Sequence, residues 1–465
     1  MKNTRIEKDS LGTKEVPASA YYGIQTARAL ENFPVSGVRA HPYFIQAYVL
    51  IKKAAALTHE NLSVLEPSIS QSIAAAVDDV LDGNLRDQFV VDVFQAGAGT
   101  SFNMNVNEVL ANRALELIGE KRGNYERISP NDHVNRSQST NDTFPTAMHL
   151  ASLLLLRDLL PVIEELSLII EKKGEEFSKI IKSGRTHLQD AVPVTLGQEF
   201  AAYAVTLQKG MDNLRICEPP LEELPIGGSA AGTGLNVPEG YRQGVIQRLT
   251  EMTGLSLVPA PDLREAMQSR AGISALSCML RNLCLDLIRI ANDLRLLSSG
   301  PRTGLAEIRL PPVQPGSSIM PGKVNPVLAE CLNMICFQVV GNDQVVAMAS
   351  QAGQLELNVM MPVMIHNLLH SMEILKNFLP VFARRCVAGI TAEAEHCRDY
   401  FERSVGLATI LNTHIGYLNA AKLAKESEAK GVPIRDLILQ RGLLSPEELD
   451  RILDPDRIAG QDRED

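Results

Sequence analysis

Two stretches of this chain place apolar residues at three- and four-residue steps over more than thirty positions each, and that spacing limits the folds open to it. From Ala151 to Lys182 the apolar face includes Leu155, Leu159, Ile163, Leu166, Ile170 and Phe177. From Arg264 to Ser299 it includes Ile273, Leu276, Leu280, Leu283, Leu287, Ile290, Leu294 and Leu297. A period near 3.6 lines such residues along one side of an α-helix. At ~1.5 Å per residue the second helix would reach about 50 Å. A helix that long outruns a compact domain and needs partner helices throughout, so the expected fold is an all-α, long-helix bundle. Further helical patterns cover 43–82, 197–217, 327–350 and 354–382. Pro161 is expected to kink or break the first long helix.

Composition points the same way. Hydrophobic residues make up 45% of the 465 positions but aromatics only 5%, with no Trp, so Leu, Ala, Ile, Val and Met must fill the interior. Such side chains suit helix-on-helix packing. The net charge is −10, and no Lys/Arg-rich run is interleaved with aromatics, so no nucleic-acid partner is expected. An acidic chain does not steer anions from afar, and an anionic substrate would have to be held by local cations and backbone dipoles. The seven Cys, odd in number and without a C-x-x-C, read as reduced thiols and a cytoplasmic setting. The opening MKNTRIEKDSLG lacks the apolar core of a signal peptide. Apolar runs such as Leu153 to Leu156 fall far short of a membrane span. Three domains are expected: an N-terminal helical domain (1–141), a central long-helix domain (142–393) and a small C-terminal helical domain (394–465). The last should contain a capping box at Ser445–Glu448, with Pro446 at the first helical position, and a charged tail fraying after Asp456.

Three polar segments border the helical patterns, each dense in small hydrogen-bonding side chains. They are Gly97 to Asn107, within a loop expected over 95–107; Asn131 to Asp142, within a loop expected over 129–142; and Pro315-Gly316-Ser317-Ser318-Ile319-Met320-Pro321-Gly322-Lys323-Val324-Asn325-Pro326. Thr100, Ser139, Thr140, Asn141 and Asn325 offer neutral donors, and Lys323 a point charge. The pair His366 and His370, spaced i,i+4, has no evident third ligand, so no metal is expected there. The Gly-rich stretch 227–234 follows no strand pattern, so no nucleotide loop is expected there.

The third segment resembles the signature of the aspartase/fumarase superfamily, G-S-S-x-M-P-x-K-x-N-P, in full order and spacing. The first two segments resemble that superfamily's other motif regions, and Gly184-Arg185-Thr186-His187-Leu188-Gln189-Asp190 adds a fourth match. The likeness runs from about Arg5 to the C-terminus. It implies a homotetramer around a shared helical core, with each active site built from three subunits, a small dicarboxylate substrate and no cofactor. It makes Ser317 the general base that takes the C3 proton, on a mobile lid and aided by the Gly316–Ser318 amides and Lys323. It places Lys323, Asn325 and Thr186 on the α-carboxylate; Thr100, Asn141 and His187 at the amino group; and Ser139, Thr140 and Ser318 on the β-carboxylate. Glu330 is expected to contact His187.

Several local sequences resemble the aspartase branch, among them Ala20-Tyr21-Tyr22-Gly23, Ser139-Thr140-Asn141 and Gly300-Pro301-Arg302-Thr303-Gly304. They imply elimination of ammonia from L-aspartate to give fumarate. Others, such as Asp142-Thr143-Phe144-Pro145-Thr146 and Pro362-Val363-Met364-Ile365-His366-Asn367, resemble the fumarase branch and its malate/fumarate reaction. A non-catalytic structural role, known within the superfamily, is disfavoured because the serine, lysine and asparagine of the signature are all present.

Overall fold

The computed structural model describes residues 3–454, which are predominantly helical. The charged tail expected to fray after residue 456 lies outside the described residues. The chain divides into two compact units. The first comprises Met1–Leu159, Asn213–Asn282 and Phe337–Leu375, and the second Leu160–Asp212, Leu283–Cys336 and Lys376–Asp465.

The chain opens with an antiparallel hairpin of β1 (Thr4–Asp9) and β2 (Gly12–Pro17). Helices α1 (Ile24–Asn32), α2 (Pro42–Asn61), α3 (Pro67–Leu81) and α4 (Thr100–Leu117) follow. Next come α5 (Thr140–Glu176), the hairpin β3 (Ile181–Thr186)–β4 (Gln189–Thr195), α6 (Leu196–Arg215) and α7 (Glu218–Glu222). A short parallel pair, β5 (Glu223–Leu224) and β6 (Val258–Pro259), brackets α8 (Tyr241–Thr253). After α9 (Leu263–Gln268) run α10 (Ala271–Leu297), α11 (Val327–Gln351) and α12 (Met361–Arg385). The antiparallel pair β7 (Ile308–Arg309)–β8 (Thr391–Ala392) precedes five short helices: α13 (Ala394–Arg403), α14 (Leu407–Ile415), α15 (Tyr417–Lys430), α16 (Ile434–Gln440) and α17 (Pro446–Ile452). The all-α expectation holds, with strands confined to small pairs. The Ser445 capping box is present.

The apolar stripe drives the long helices. All eight stripe positions of α10, from Ile273 to Leu297, are buried. By length and composition α10 is apolar enough to cross a membrane, but that stripe marks a core helix. Three expected helical patterns changed their bounds. The pattern over 43–82 splits because Pro67, at the first helical position, has no N–H to donate and disfavours helix in the residue before it. The pattern over 264–299 splits at Ser269, whose backbone is extended and whose hydroxyl accepts from Ala271 N at 3.3 Å, so α10 is about 40 Å long rather than 50. The pattern from 354 becomes helical only at Met361, after Asn358 caps Met360 N at 2.9 Å. Pro161 does not break α5; it is solvent-exposed, on a side where water can satisfy the freed carbonyl.

The largest correction concerns 95–107. The loop ends at Gly99, whose φ of +83° turns the chain into α4, and Asn103, Asn105, Asn107 and Glu108 are buried helical residues. Asn103, Asn105 and Glu108 hydrogen-bond to other segments, while Asn107 donates to Met104 Sδ of its own helix at 3.5 Å. Asn105, for example, accepts from Val90 N and donates to Gln88 O. The buried Glu108 carboxylate takes Gly23 N, Gln25 N, Thr26 N and the Thr26 hydroxyl at 2.6–3.1 Å, satisfying the open amides at the start of α1. Burial pushes Glu108 up to about 7, against the pull of those donors. Phe44 and Tyr48 of α2, Phe102 of α4 and Phe144 of α5 form an aromatic cluster with centroids 4.9–6.0 Å apart, which locks the starts of α4 and α5 together.

Two outcomes test these contacts. At Gly99 an added Cβ would lie 2.0 Å from the Phe144 ring, at a positive φ. Gly99→Ala is expected to cost about 2–4 kcal/mol, read from the urea midpoint. In the second unit, fully buried Glu307 pairs with Lys182 at 2.7 Å and Arg185 at 2.8 Å, holding both to the β7 region. Glu307→Gln removes one of the two carboxylates on the buried Lys182 ammonium, leaving Glu199 at 2.8 Å, and should cost about 1.5–3 kcal/mol in the same assay; a loss under 1 kcal/mol would show that the cluster does not brace the hairpin.

Candidate active site

In the first unit the motif residues sit at two helix starts. Thr100 begins α4 and is exposed. Ser139 caps α5: its hydroxyl accepts from Asn141 N at 3.2 Å, and its own N–H donates to Asp142 Oδ1 at 3.0 Å, a reciprocal box that leaves the hydroxyl hydrogen free. Asp142 is fully buried and also receives Gly227 N at 3.1 Å and Ser229 N at 2.9 Å. Asn141 Nδ2 donates to Ala230 O at 2.9 Å. The Gly-rich stretch therefore forms one wall of this cluster. Burial pushes Asp142 up to about 7, opposed by the Ser229, Ser139 and Gly227 amides and by Lys52.

Beneath these residues lies Lys52 of α2, with no exposed surface. Its ammonium donates to Asn103 Oδ1 at 2.9 Å, Asn135 Oδ1 at 2.9 Å and Gln138 Oε1 at 3.0 Å. Asn103 Nδ2 passes on to Thr140 Oγ1 at 3.0 Å. Burial holds Lys52 down to about 7, offset by Asp142. The sequence gives little sign of this, since Lys52-Lys53 reads as the polar edge of a helix; the chemically telling residues 103, 135 and 138 lie far away in the chain.

In the second unit the β3–β4 hairpin carries Thr186 and His187. Thr186 pairs with Gln189, and His187 and Leu188 form the two-residue turn at φ +56° and +59°. Such a turn ordinarily uses Asn-Gly, and each β-carbon held at positive φ costs about 1–2 kcal/mol. The turn presents His187 and Leu188 to solvent, Leu188 at 72% exposure. Strain held at a tip of this kind is a mark of functional sites.

The signature loop is pinned at its neck. Gly316 N donates to Lys323 O at 2.9 Å, and Asn325 Nδ2 donates to Gly316 O at 2.6 Å. A Cβ on Gly316 would lie 2.3 Å from Lys323 O, so only glycine permits this approach. Inside the loop, Ser317 Oγ accepts from Ile319 N at 3.2 Å and Met320 N at 3.0 Å. Two amides aimed at one hydroxyl oxygen favour its alkoxide. The amides supporting Ser317 are thus those of residues 319 and 320, not the expected 316–318. Asn325 Nδ2 commits one of its two hydrogens to the loop neck. Ser318 and Lys323 are exposed, and the Lys323 side chain has no hydrogen bond or ion pair among the described residues.

In the first unit Asn103 thus meets Thr140, which Ser139 and Asn141 flank at the start of α5, and Thr100 lies three residues before Asn103 on α4. In the second, among the described residues, no hydrogen bond or ion pair joins the side chains of Thr186 or His187 to those of Ser317, Lys323 or Asn325. Nor does Glu330, in the first turn of α11, contact His187: the expected pair does not form within one chain, because His187 sits exposed at the hairpin tip. His366 and His370 stack at 6.1 Å, and no group of three or more His, Cys, Asp or Glu with metal-holding geometry occurs among the described residues.

Comparison with known proteins matches residues 12–341 to a family model described as Lyase and residues 407–460 to one described as Fumarase C C-terminus. The chain is similar to the aspartate ammonia-lyase of Bacillus subtilis (strain 168), at 50% identity over 98% of this chain and 96% of that protein. It is 48% identical to the aspartate ammonia-lyase of Escherichia coli (strain K12), over 97% and 95%. Among solved structures it resembles a fumarate lyase:delta crystallin from Brucella melitensis bound to cobalt, with a TM-score of 0.96 and 48% identity over 98% of this chain and all of that one. It also resembles the class II fumarase of Schistosoma mansoni, with a TM-score of 0.94 and 38% identity over 98% and 99%. With a lyase-family match spanning most of its length and relatives near half-identical from end to end, the chain belongs to the lyase family that includes the aspartate ammonia-lyases and class II fumarases.

Proposed function

We propose that this protein is an aspartate ammonia-lyase, a carbon–nitrogen lyase that reversibly eliminates ammonia from L-aspartate to give fumarate. The observation that carries the reading is the near-full-length identity of 45–50% to aspartate ammonia-lyases. The fumarase C C-terminal match and the fumarase neighbour at 38% identity keep hydration of fumarate as the second reading.

In the proposed mechanism Ser317 Oγ, as the alkoxide stabilised by the Ile319 and Met320 amides, takes the proton from C3. The electron pair left on C3 spreads into the β-carboxylate, which becomes the doubly charged aci form. Collapse of that pair forms the C2–C3 double bond and breaks the C–N bond; the substrate nitrogen, bound as the three-hydrogen ammonium, leaves as ammonia with the C–N bonding pair, and the C3 proton stays on Ser317 until it is lost to solvent. Ser139, Thr140 and Ser318 donate to the β-carboxylate, where the charge grows. Lys323, Asn325 and Thr186 hold the α-carboxylate; Asn325 Nδ2 gives one of its two hydrogens to Gly316 O and keeps the other for substrate. Thr100, Asn141 and His187 surround the amine.

These groups sit on separate segments, which supports a homotetramer whose sites each draw on three subunits. The proposed His187–Glu330 contact then forms between subunits. Exposed apolar residues along α11 (Met334, Phe337, Val345 and Met348) and on α10 (Leu285 and Leu296) supply a surface for shared helical packing. The three-domain division at about 141 and 393 belongs to the same reading. Seven unpaired cysteines, five of them buried, suit a cytoplasmic enzyme.

Fumarate absorbs in the ultraviolet, so one instrument separates the readings. Absorbance should rise with aspartate and not with malate; the reverse would make the chain a hydratase, and silence with both would remove catalysis. Ser317→Ala should lower kcat by about 10²–10⁴-fold while leaving fumarate affinity within about twofold. Turnover within threefold of wild type would mean that another group is the base.

A further inference from the structure

The geometry points to Lys52 as a positioning residue that sets, through Asn103, the direction of the Thr140 hydroxyl, and so makes Thr140 a donor to a substrate carboxylate. This inference rests on the reading above that Thr140 faces the β-carboxylate.

The argument is one of donor and acceptor counts. Three oxygen acceptors surround Lys52 Nζ, at 2.9, 2.9 and 3.0 Å. A neutral amine would meet them with two hydrogens and a lone pair, whereas an ammonium has three hydrogens and no lone pair. Three oxygens therefore select the ammonium. Because that ammonium can only donate, it holds Asn103 with Oδ1 toward α2, which turns Nδ2 toward Thr140 Oγ1 at 3.0 Å. An amide NH₂ can also only donate, so Thr140 Oγ1 must accept. Its one hydrogen is then directed elsewhere, and no acceptor for it exists among the described residues. Asn135 and Gln138, from the same motif as Thr140, are fixed by the same ammonium, and Asn135 Nδ2 closes the cluster on Gln138 O at 3.2 Å.

The charge acts alongside the wiring. Lys52 makes no ion pair with a carboxylate among the described residues; Asp142 attracts it only from beyond contact distance. An ammonium one amide behind the subsite, in a dry interior, favours a carboxylate that gains negative charge during reaction. The chain's overall charge of −10 supplies no such attraction.

The test is a double-mutant cycle read by fumarate binding calorimetry and aspartate kinetics. Thr140→Val removes the donor and should weaken fumarate binding and raise KM by about 10- to 100-fold. Asn103→Asp keeps shape and pairs with Lys52, but it forces the Thr140 hydrogen inward to the new carboxylate; binding should weaken by at least as much. The double variant should bind no more weakly than Thr140→Val alone, since the misdirected hydroxyl is gone. Losses that multiply in the double variant, or an Asn103→Asp enzyme that binds fumarate like wild type, overturn the inference. Lys52→Met, compared with Lys52→Met/Thr140→Val, should show the same non-additivity if it folds; if it does not, the Asn103 cycle decides alone. Wild-type protein that forms no fumarate from aspartate overturns the functional reading instead, and the cycle is then judged by fumarate binding.

Discussion

Asp142 sits without solvent contact at the point where three segments meet, and a carboxylate so placed must be surrounded by donors. It finds them in the amides of Ser139, Gly227 and Ser229. Those three bonds fix where α5 begins, hold the Gly-rich stretch against it and orient the Ser139–Asn141 segment. With Asp142 in place, Ser139 can cap the helix and Asn141 can reach Ala230. The buried Lys52 complements it from α2, so one cation and one anion, each enclosed by neutral polar groups, organise the motif residues of the first unit. Such a cluster is stable only when every member is satisfied, which accounts for the density of Asn, Gln, Ser and Thr around it.

The second unit meets the same requirement in another way. Glu307 gathers Lys182 and Arg185, and this ion cluster braces a hairpin whose turn holds two β-carbons at positive φ. Rigidity behind the turn keeps His187 at a fixed, solvent-facing tip. The signature loop is tied at its neck by Gly316, Lys323 and Asn325, and its apolar tip residues Ile319 and Met320 remain exposed. A rigid tip and a loosely tethered loop suit different tasks: the first positions a group, and the second can close over a bound molecule.

The legible parts of this protein were those written in local pattern. Stripe residues spaced three and four apart became buried faces, as α10 shows along its full length. The signature around Ser317 announced itself by its spacing. What stayed hidden were contacts between residues distant in sequence. Residues 100–107 read as a polar loop because Thr, Ser and Asn compete with the helix backbone for hydrogen bonds, yet partners on α2 and the 88–90 segment engage Asn103 and Asn105 there. The two-residue turn at His187-Leu188 lacks any turn residue, so nothing local predicts it.

The sequence by itself determined the all-α class, the long buried helices and the set of residues able to handle a dicarboxylate, because helix periodicity and motif spacing are properties of neighbours along the chain. The tertiary structure alone decided that Lys52 stands behind Thr140, that Asp142 ties α5 to residues 227–229, and that the amides of Ile319 and Met320 face the Ser317 oxygen. These depend on which donors reach which acceptors in three dimensions, and a buried charge or a bent loop selects its partners by distance and direction, which the order of residues does not record.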